Sequence, residues 1–131
     1  MMPSGGRLTL GREERVTGRT LVQTLFKGGA SRSMSYYPIR AVYCLVDEKA
    51  PTRILVSVPK RCFKRAVKRN RVKRQMREAY RLQKHILDEK VAAMTDKSLV
   101  IAFVWLDDKL RDSNEVHDRM GRILTRISEK I

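Results

Sequence analysis

Residues Leu99 to Leu106 read LVIAFVWL, eight apolar residues in succession. A strand with one wet face alternates apolar and polar residues. A run with no polar position has no face to give to water, and it marks a strand buried on both sides. Any fold for this chain must therefore cover that strand. Two other stretches have strand character. From Tyr36 to Val46, Ile39, Ala41, Tyr43 and Leu45 alternate with Arg40, Val42, Cys44 and Val46, and Pro38 suits a strand start or edge. After the polar turn Asp47 to Thr52, Arg53 to Val58 sets Ile54, Val56 and Val58 on one face. These two stretches read as an antiparallel hairpin.

The helical stripes supply the cover. Leu21, Val22, Leu25 and Phe26 make a short one, cappable by Thr17 or Thr20 and stopped by Gly28 and Gly29. A helix this short must pack on something to persist. Val72, Met76, Ala79, Tyr80, Ile86 and Leu87 fall on one side of a long helix ending near Val91 to Ala93. Val116, Met120, Ile123, Leu124, Ile127 and Ile131 mark a final helix. Asp112 with Glu115 resembles a capping box at its start. Gly121 costs that helix about 1 kcal/mol relative to alanine.

The order is helix, strand, strand, long helix, strand, helix. It predicts an α+β two-layer sandwich, a small mixed sheet with helices. At 131 residues the chain is expected to be one domain, residues 1–131, with residues 1–11 a Gly-, Ser- and Pro-bearing mobile tail. The strand–long helix–strand unit is a crossover if its strands are parallel neighbours. The default hand is right, and the residues themselves leave the hand open. No run of eighteen apolar residues predicts a membrane span, and no apolar segment after Met1 suggests a secretory signal. Cys44 and Cys62 lack metal-ligand spacing and read as two reduced thiols, so a cytoplasmic location is expected.

Charge is the second strong constraint. The formal net charge is +15, and between Lys60 and Lys84 stand twelve Lys or Arg against one acid, Glu78. Solvated helix faces mix their signs; this one repels itself unless a polyanion neutralises it. Asn70, Arg71, Lys73, Arg74, Arg77 and Arg81 lie opposite the apolar stripe. One turn earlier, Lys68 and Arg69 fall where the stripe would continue. Unpaired cations are almost never buried, so the helix is expected to overhang the core at its N-terminal end. Arg forks grip phosphate bidentately and Lys acts as a point charge, which suits a nucleic-acid backbone. A membrane surface would need a more insertable apolar face. Arg12, Arg15 and Arg19 are candidate additional phosphate contacts.

The run Lys68 to Arg81, KRNRVKRQMREAYR, closely resembles the signature of the bacterial ribonuclease P protein subunit. The Arg69-Asn70-Arg71 core is followed by Arg77, Glu78, Ala79, Tyr80 and Arg81, and SVPKR at Ser57 to Arg61 is similar to the strand and turn that precede it. Order and length agree from about Arg15 to Ile127. The resemblance implies a subunit of a ribonucleoprotein that removes the 5′ leader from precursor tRNA. In that particle the catalytic RNA subunit holds the active site and uses magnesium, with one protein per RNA. It further implies a left-handed βαβ crossover. It places RNA-subunit binding on Lys64, Arg65, Lys68, Arg69, Asn70, Arg71, Lys73, Arg74 and Arg77, and leader binding on Phe26, Tyr36, Tyr37 and Lys60. Aromatic stacking in a basic groove is a common way to hold a single strand. Adjacent residues of a strand face opposite sides, so at most one of Tyr36 and Tyr37 lines such a cleft. Val22 or Leu21 stands where the family carries a second aromatic, and Pro59 replaces a small polar residue, so weaker stacking is expected. Trp105 reads as core.

No catalytic constellation accompanies these features. Asp47-Glu48, Asp88-Glu89 and Asp107-Asp108 read as turn or helix-end residues, and no catalytic partner stands beside His85 or His117. There is no phosphate-cradling GxxxxGK[ST] loop. The chain is expected to bind RNA without cleaving it and to hold no metal or cofactor itself. Two other classes are compatible with composition: a ribosomal or other structural RNA-binding protein, and a DNA-binding protein using the basic helix in a major groove. The second lacks a helix-turn-helix partner and residues suited to base edges beyond Asn70 and Gln75.

Overall fold

The computed structural model describes residues 31–47, 51–94 and 96–131. Strands β1 (Arg32–Tyr36), β2 (Ile39–Val46), β3 (Arg53–Ser57) and β4 (Ser98–Trp105) form one sheet, with helices α1 (Ala66–Gln83), α2 (His85–Ala92) and α3 (Ser113–Lys130). The expected first helix, with Phe26, lies outside the described residues.

The sheet order is β1-β2-β4-β3. The apolar run becomes β4, in the interior of the sheet and flanked on both sides. It is antiparallel to β2, with Ile39 opposite Trp105 and Val46 opposite Ser98. It is parallel to β3, with Arg53 opposite Val100 and Ser57 opposite Val104. The expected β2–β3 hairpin is therefore corrected: β4 lies between the two strands. A strand apolar on both faces gains most in the middle of a sheet, where both its edges are paired and neighbouring strands flank its side chains on each face. The β3–helix–β4 unit is a βαβ crossover between parallel neighbours, as expected. A second correction concerns the start of the sheet. The stretch beginning at Tyr36 is not one strand but the end of a hairpin, in which β1 runs antiparallel to β2 with Arg32 opposite Tyr43 and Tyr36 opposite Ile39. The turn between them contains a cis Tyr37–Pro38 bond, and the Pro38 carbonyl accepts from the Leu106 N–H at 2.8 Å.

Strand alternation divides the sheet's faces. One face sends Ile39, Ala41, Tyr43, Ile54, Val56, Leu99, Ile101, Phe103 and Trp105 into the main core. There they meet Val72, Met76, Ala79 and Tyr80 of α1, Leu87 and Val91 of α2, and the α3 stripe Val116, Met120, Ile123, Leu124 and Ile127. The Tyr80 and Phe103 rings lie 6.0 Å apart at 49°. The other face carries a smaller cluster of Cys44, Val100 and Ala102, with Val46 and Leu55 against it.

The long helix divides at Lys84, which caps α1 and begins α2. The apolar stripe runs through the junction, which is why the sequence pattern reads as one helix. The α3 N-cap is as expected: the Asp112 carboxylate accepts from the Asn114 N–H at 2.7 Å and the Glu115 N–H at 3.2 Å. The reciprocal half of a capping box is replaced, because Glu115 pairs instead with Arg111. Gly121 sits where α3 passes the end of α1. A Cβ there would overlap the Gln83 side-chain amide. That amide donates to the His117 carbonyl at 2.8 Å and to the Ala79 carbonyl at 3.2 Å, tying α1 to α3.

Candidate nucleic-acid interface

The basic helix overhangs the core as its sequence requires. No residue from Ala66 to Arg71 is buried, Val67 is 79% exposed, and Val72 is the first residue of α1 to reach the interior. The start of α1 is bare of negative charge. Its N-cap is Arg65, no side chain caps it, and its first turn holds no acid. Cations beside a helix N-terminus oppose the helix dipole. The local sequence therefore loses stability to keep positive charge there.

Two groups of cations contrast. On and before α3, Arg111, Arg119 and Arg122 are matched. Arg111 donates to Asp107 at 2.9 Å and also to Glu115, Arg119 pairs with Asp118, and Arg122 reaches Asp118 at 3.0 Å. Asp107 is nearly buried. Burial pushes its carboxyl upward, but the Arg111 guanidinium and the Asp108 and Lys109 backbone N–H groups outweigh this, and its pKa lies below the usual carboxylate range. On α1 and the loop before it, matching is largely absent. Lys64, Arg65, Lys68, Arg71, Lys73 and Arg74 have no ion pair or side-chain hydrogen bond among the described residues, and all but half-buried Lys73 are exposed. Asn70 is exposed beside them. Arg77 is half-buried and Arg81 pairs with Glu78.

Arg69 behaves differently from its neighbours. Its Nη1 donates to the Phe63 carbonyl at 2.7 Å and to the Lys64 carbonyl at 2.8 Å. Gln75 also turns inward, donating to the Arg111 carbonyl at 3.0 Å and the Ser113 hydroxyl at 3.2 Å. It holds α1 against the start of α3, a role the sequence does not signal.

Of the residues expected at the leader, the described ones lie on three elements: β1, the β1–β2 turn and the β3–α1 connection. Phe26 lies outside the described residues. Tyr36 faces the helices, packed at the edge of the main core. It walls a groove of about 500 Å³ with Gln83, Ile86, His117, Gly121 and Arg126 among its lining. Tyr37 lies in the β1–β2 turn, 55% exposed, with the Arg111 guanidinium 5.3 Å from its ring centroid. Burial, the Asp107 charge and a hydrogen bond to Asp107 raise its pKa above the ordinary tyrosine value. Lys60 is exposed in the β3–α1 connection. Cys44 and Cys62 are buried and form no disulfide, and burial pushes both thiols up. His85 and His117 are exposed. Among the described residues no group of three or more His, Cys, Asp or Glu is placed to hold a metal ion. No helix among them is long and apolar enough to cross a membrane.

An α+β layer whose long helix overhangs the core with exposed cations that have no ion pair among the described residues has the charge pattern of the nucleic-acid-binding class of domain. A family model described as Ribonuclease P matches residues 10–127. The ribonuclease P protein component of Porphyromonas gingivalis is 41% identical over 132 aligned positions, covering 99% of this chain and 94% of its own. That of Chlorobaculum tepidum is 37% identical over 102, covering 73% of this chain and 66% of its own. The chain belongs to the ribonuclease P protein family. The RNase P proteins of Staphylococcus aureus and Thermotoga maritima share the fold. Each has a TM-score of 0.61 at 18% identity; coverage is 87% of this chain and 94% of the first, and 86% and 96% for the second.

Proposed function

We propose that this protein is the protein subunit of a ribonuclease P ribonucleoprotein, non-catalytic itself, in an endoribonuclease whose active site is RNA. It binds the catalytic RNA subunit through Lys64, Arg65, Lys68, Asn70, Arg71, Lys73, Arg74 and Arg77, with Arg69 in the same segment. It assists removal of the 5′ leader from precursor tRNA, with Lys60, Tyr37, Tyr36 and Phe26 on the leader's side. One protein serves one RNA, in the cytoplasm. The observation that carries this reading is the start of α1 with the loop before it, where six cations gather without acidic partners among the described residues, while Arg111, Arg119 and Arg122 on and before α3 are paired.

The physical role follows from charge. A catalytic RNA that docks a precursor tRNA must bring two polyanions together. A dense cationic ridge lowers that repulsion and the cation concentration needed for docking, releasing counterions as it binds. The protein's part is binding and orientation, and the magnesium chemistry belongs to the RNA.

Affinity for a bacterial ribonuclease P RNA, compared at one salt concentration with ribosomal RNA fragments and duplex DNA, tests the reading. Preference for the ribonuclease P RNA is expected. Equal binding to all three would reduce the protein to a general polyanion binder.

A further inference from the structure

We infer that Arg69, at the head of the Arg-Asn-Arg motif, is a positioning residue: it acts on RNA through Lys64 and Arg65 and not as a phosphate contact of its own. The inference rests on the reading of this segment as the RNA interface.

Pro59 and Cys62 close a turn, with the Cys62 N–H on the Pro59 carbonyl at 3.0 Å. The Cys62 thiol and the Phe63 ring then enter the core. The chain must leave the core at Phe63 and begin a helix at Ala66, with Lys64 and Arg65 exposed between. The Phe63 and Lys64 carbonyls lie outside the helix ladder, and no side chain caps the helix start.

Arg69, one turn into the helix, reaches back and places one nitrogen on both carbonyls, at 2.7 and 2.8 Å. Charge-assisted bonds of this length are strong and directional. They fix the backbone from which Lys64 and Arg65 project, and so set these two cations in register with Lys68 and Arg71 on the helix. An unfixed loop would have to be ordered when RNA binds, at a cost in affinity. Committing Nη1 to the protein also removes the two-Nη fork with which a guanidinium grips phosphate. Arg69 is accordingly only half-exposed, whereas Lys68, Asn70 and Arg71 stand open to solvent.

A double-mutant cycle on the full chain separates action through the loop from direct contact. Affinity for a bacterial ribonuclease P RNA is measured for the wild type, Arg69→Ala, Lys64→Ala/Arg65→Ala and the combined variant. Arg69→Ala is expected to weaken binding about tenfold in the wild-type background, the scale of a single charge-assisted hydrogen bond. It is expected to have under about twofold effect once Lys64 and Arg65 are gone. The same factor in both backgrounds would make Arg69 a direct contact and overturn the inference, leaving the interface reading intact. Unchanged affinity in Lys64→Ala/Arg65→Ala would remove this loop from the interface and overturn both.

Arg69→Lys carries the same cycle if the alanine variant folds poorly. Lysine keeps the charge, but its nitrogen stands nearer the backbone and falls short of the two carbonyls. It is expected to lose affinity only where Lys64 and Arg65 are present. Full retention of affinity would show that charge alone matters and would overturn the inference.

Discussion

Gln83 lies directly over Gly121, so that α1 and α3 meet where one helix has no side chain. The glycine's cost in helix propensity, about 1 kcal/mol, is offset by the approach it permits, in which the Gln83 amide reaches the His117 carbonyl across the helix pair. Gly121→Ala should therefore change stability by less than about 1 kcal/mol in the wild type, gaining propensity while giving up a hydrogen bond. In a Gln83→Ala background the clash is gone, and the same substitution should stabilise by about 1 kcal/mol. Urea unfolding followed by Trp105 fluorescence gives both values, since this is the chain's single tryptophan and is fully buried.

The unpaired cations should appear in the salt dependence of RNA binding. Arg74→Ala removes an exposed arginine that has no ion pair among the described residues. The slope of log affinity against log salt should fall by about 0.7–0.9 for each phosphate that is no longer neutralised. Arg122→Ala, which removes a partner of Asp118 on α3, should leave that slope within error. An unchanged slope for Arg74→Ala would take it out of the interface.

The Asp107–Arg111 pair predicts part of the acid sensitivity. The folded pKa of Asp107 is lowered relative to the unfolded chain, where an aspartate titrates near about 3.9. Its contribution to stability is thus present above that unfolded value and is lost as pH falls through the lower folded one. Asp107→Asn should cost about 1–3 kcal/mol near neutral pH. It should also flatten the loss of stability below about pH 4 relative to the wild type. Urea midpoints near neutral pH and in acid for both proteins check this; parallel losses would remove Asp107 from the acid response.

Both thiols should resist alkylation in the native protein. Cys44 and Cys62 are buried and their pKa values are raised, so little thiolate forms and access is poor. Mass spectrometry after iodoacetamide should find both unmodified at native conditions and both modified in urea. Rapid native labelling of Cys62 would contradict its place in the core beneath the loop that carries Lys64 and Arg65.

Much of this architecture is legible in the sequence, and the exceptions have identifiable causes. The α3 stripe and the Asp112 cap are read correctly because period and cap chemistry coincide there. The overhang of α1 is also legible, since Lys68 and Arg69 interrupt the stripe. Strand β1 escapes notice because RSMSY offers only Met34 between polar residues, and its burial is that of an edge. The misplaced hairpin has a different origin. The polar link after Val46 looks like a hairpin turn, and local pattern cannot show that β4 inserts between β2 and β3. The all-apolar character of β4 is the one cue that favours an interior position. In the interface, residue type reveals the cations but not their uses. Arg69 and Arg71 are identical in sequence terms, yet only Arg69 turns back on the loop. Tyr36 and Tyr37 read as strand neighbours, but Tyr36 ends β1 while Tyr37 begins the turn.

The most direct test of the account is reconstitution. The purified chain is added to a bacterial ribonuclease P RNA and a labelled precursor tRNA, at a magnesium concentration where the RNA alone is nearly inactive. The account predicts restored cleavage at the mature 5′ end, diminished when Lys64, Arg65, Arg71 and Arg74 are replaced by alanine. Tight RNA binding without restored cleavage would contradict it and leave an RNA-binding domain of the same fold with another task.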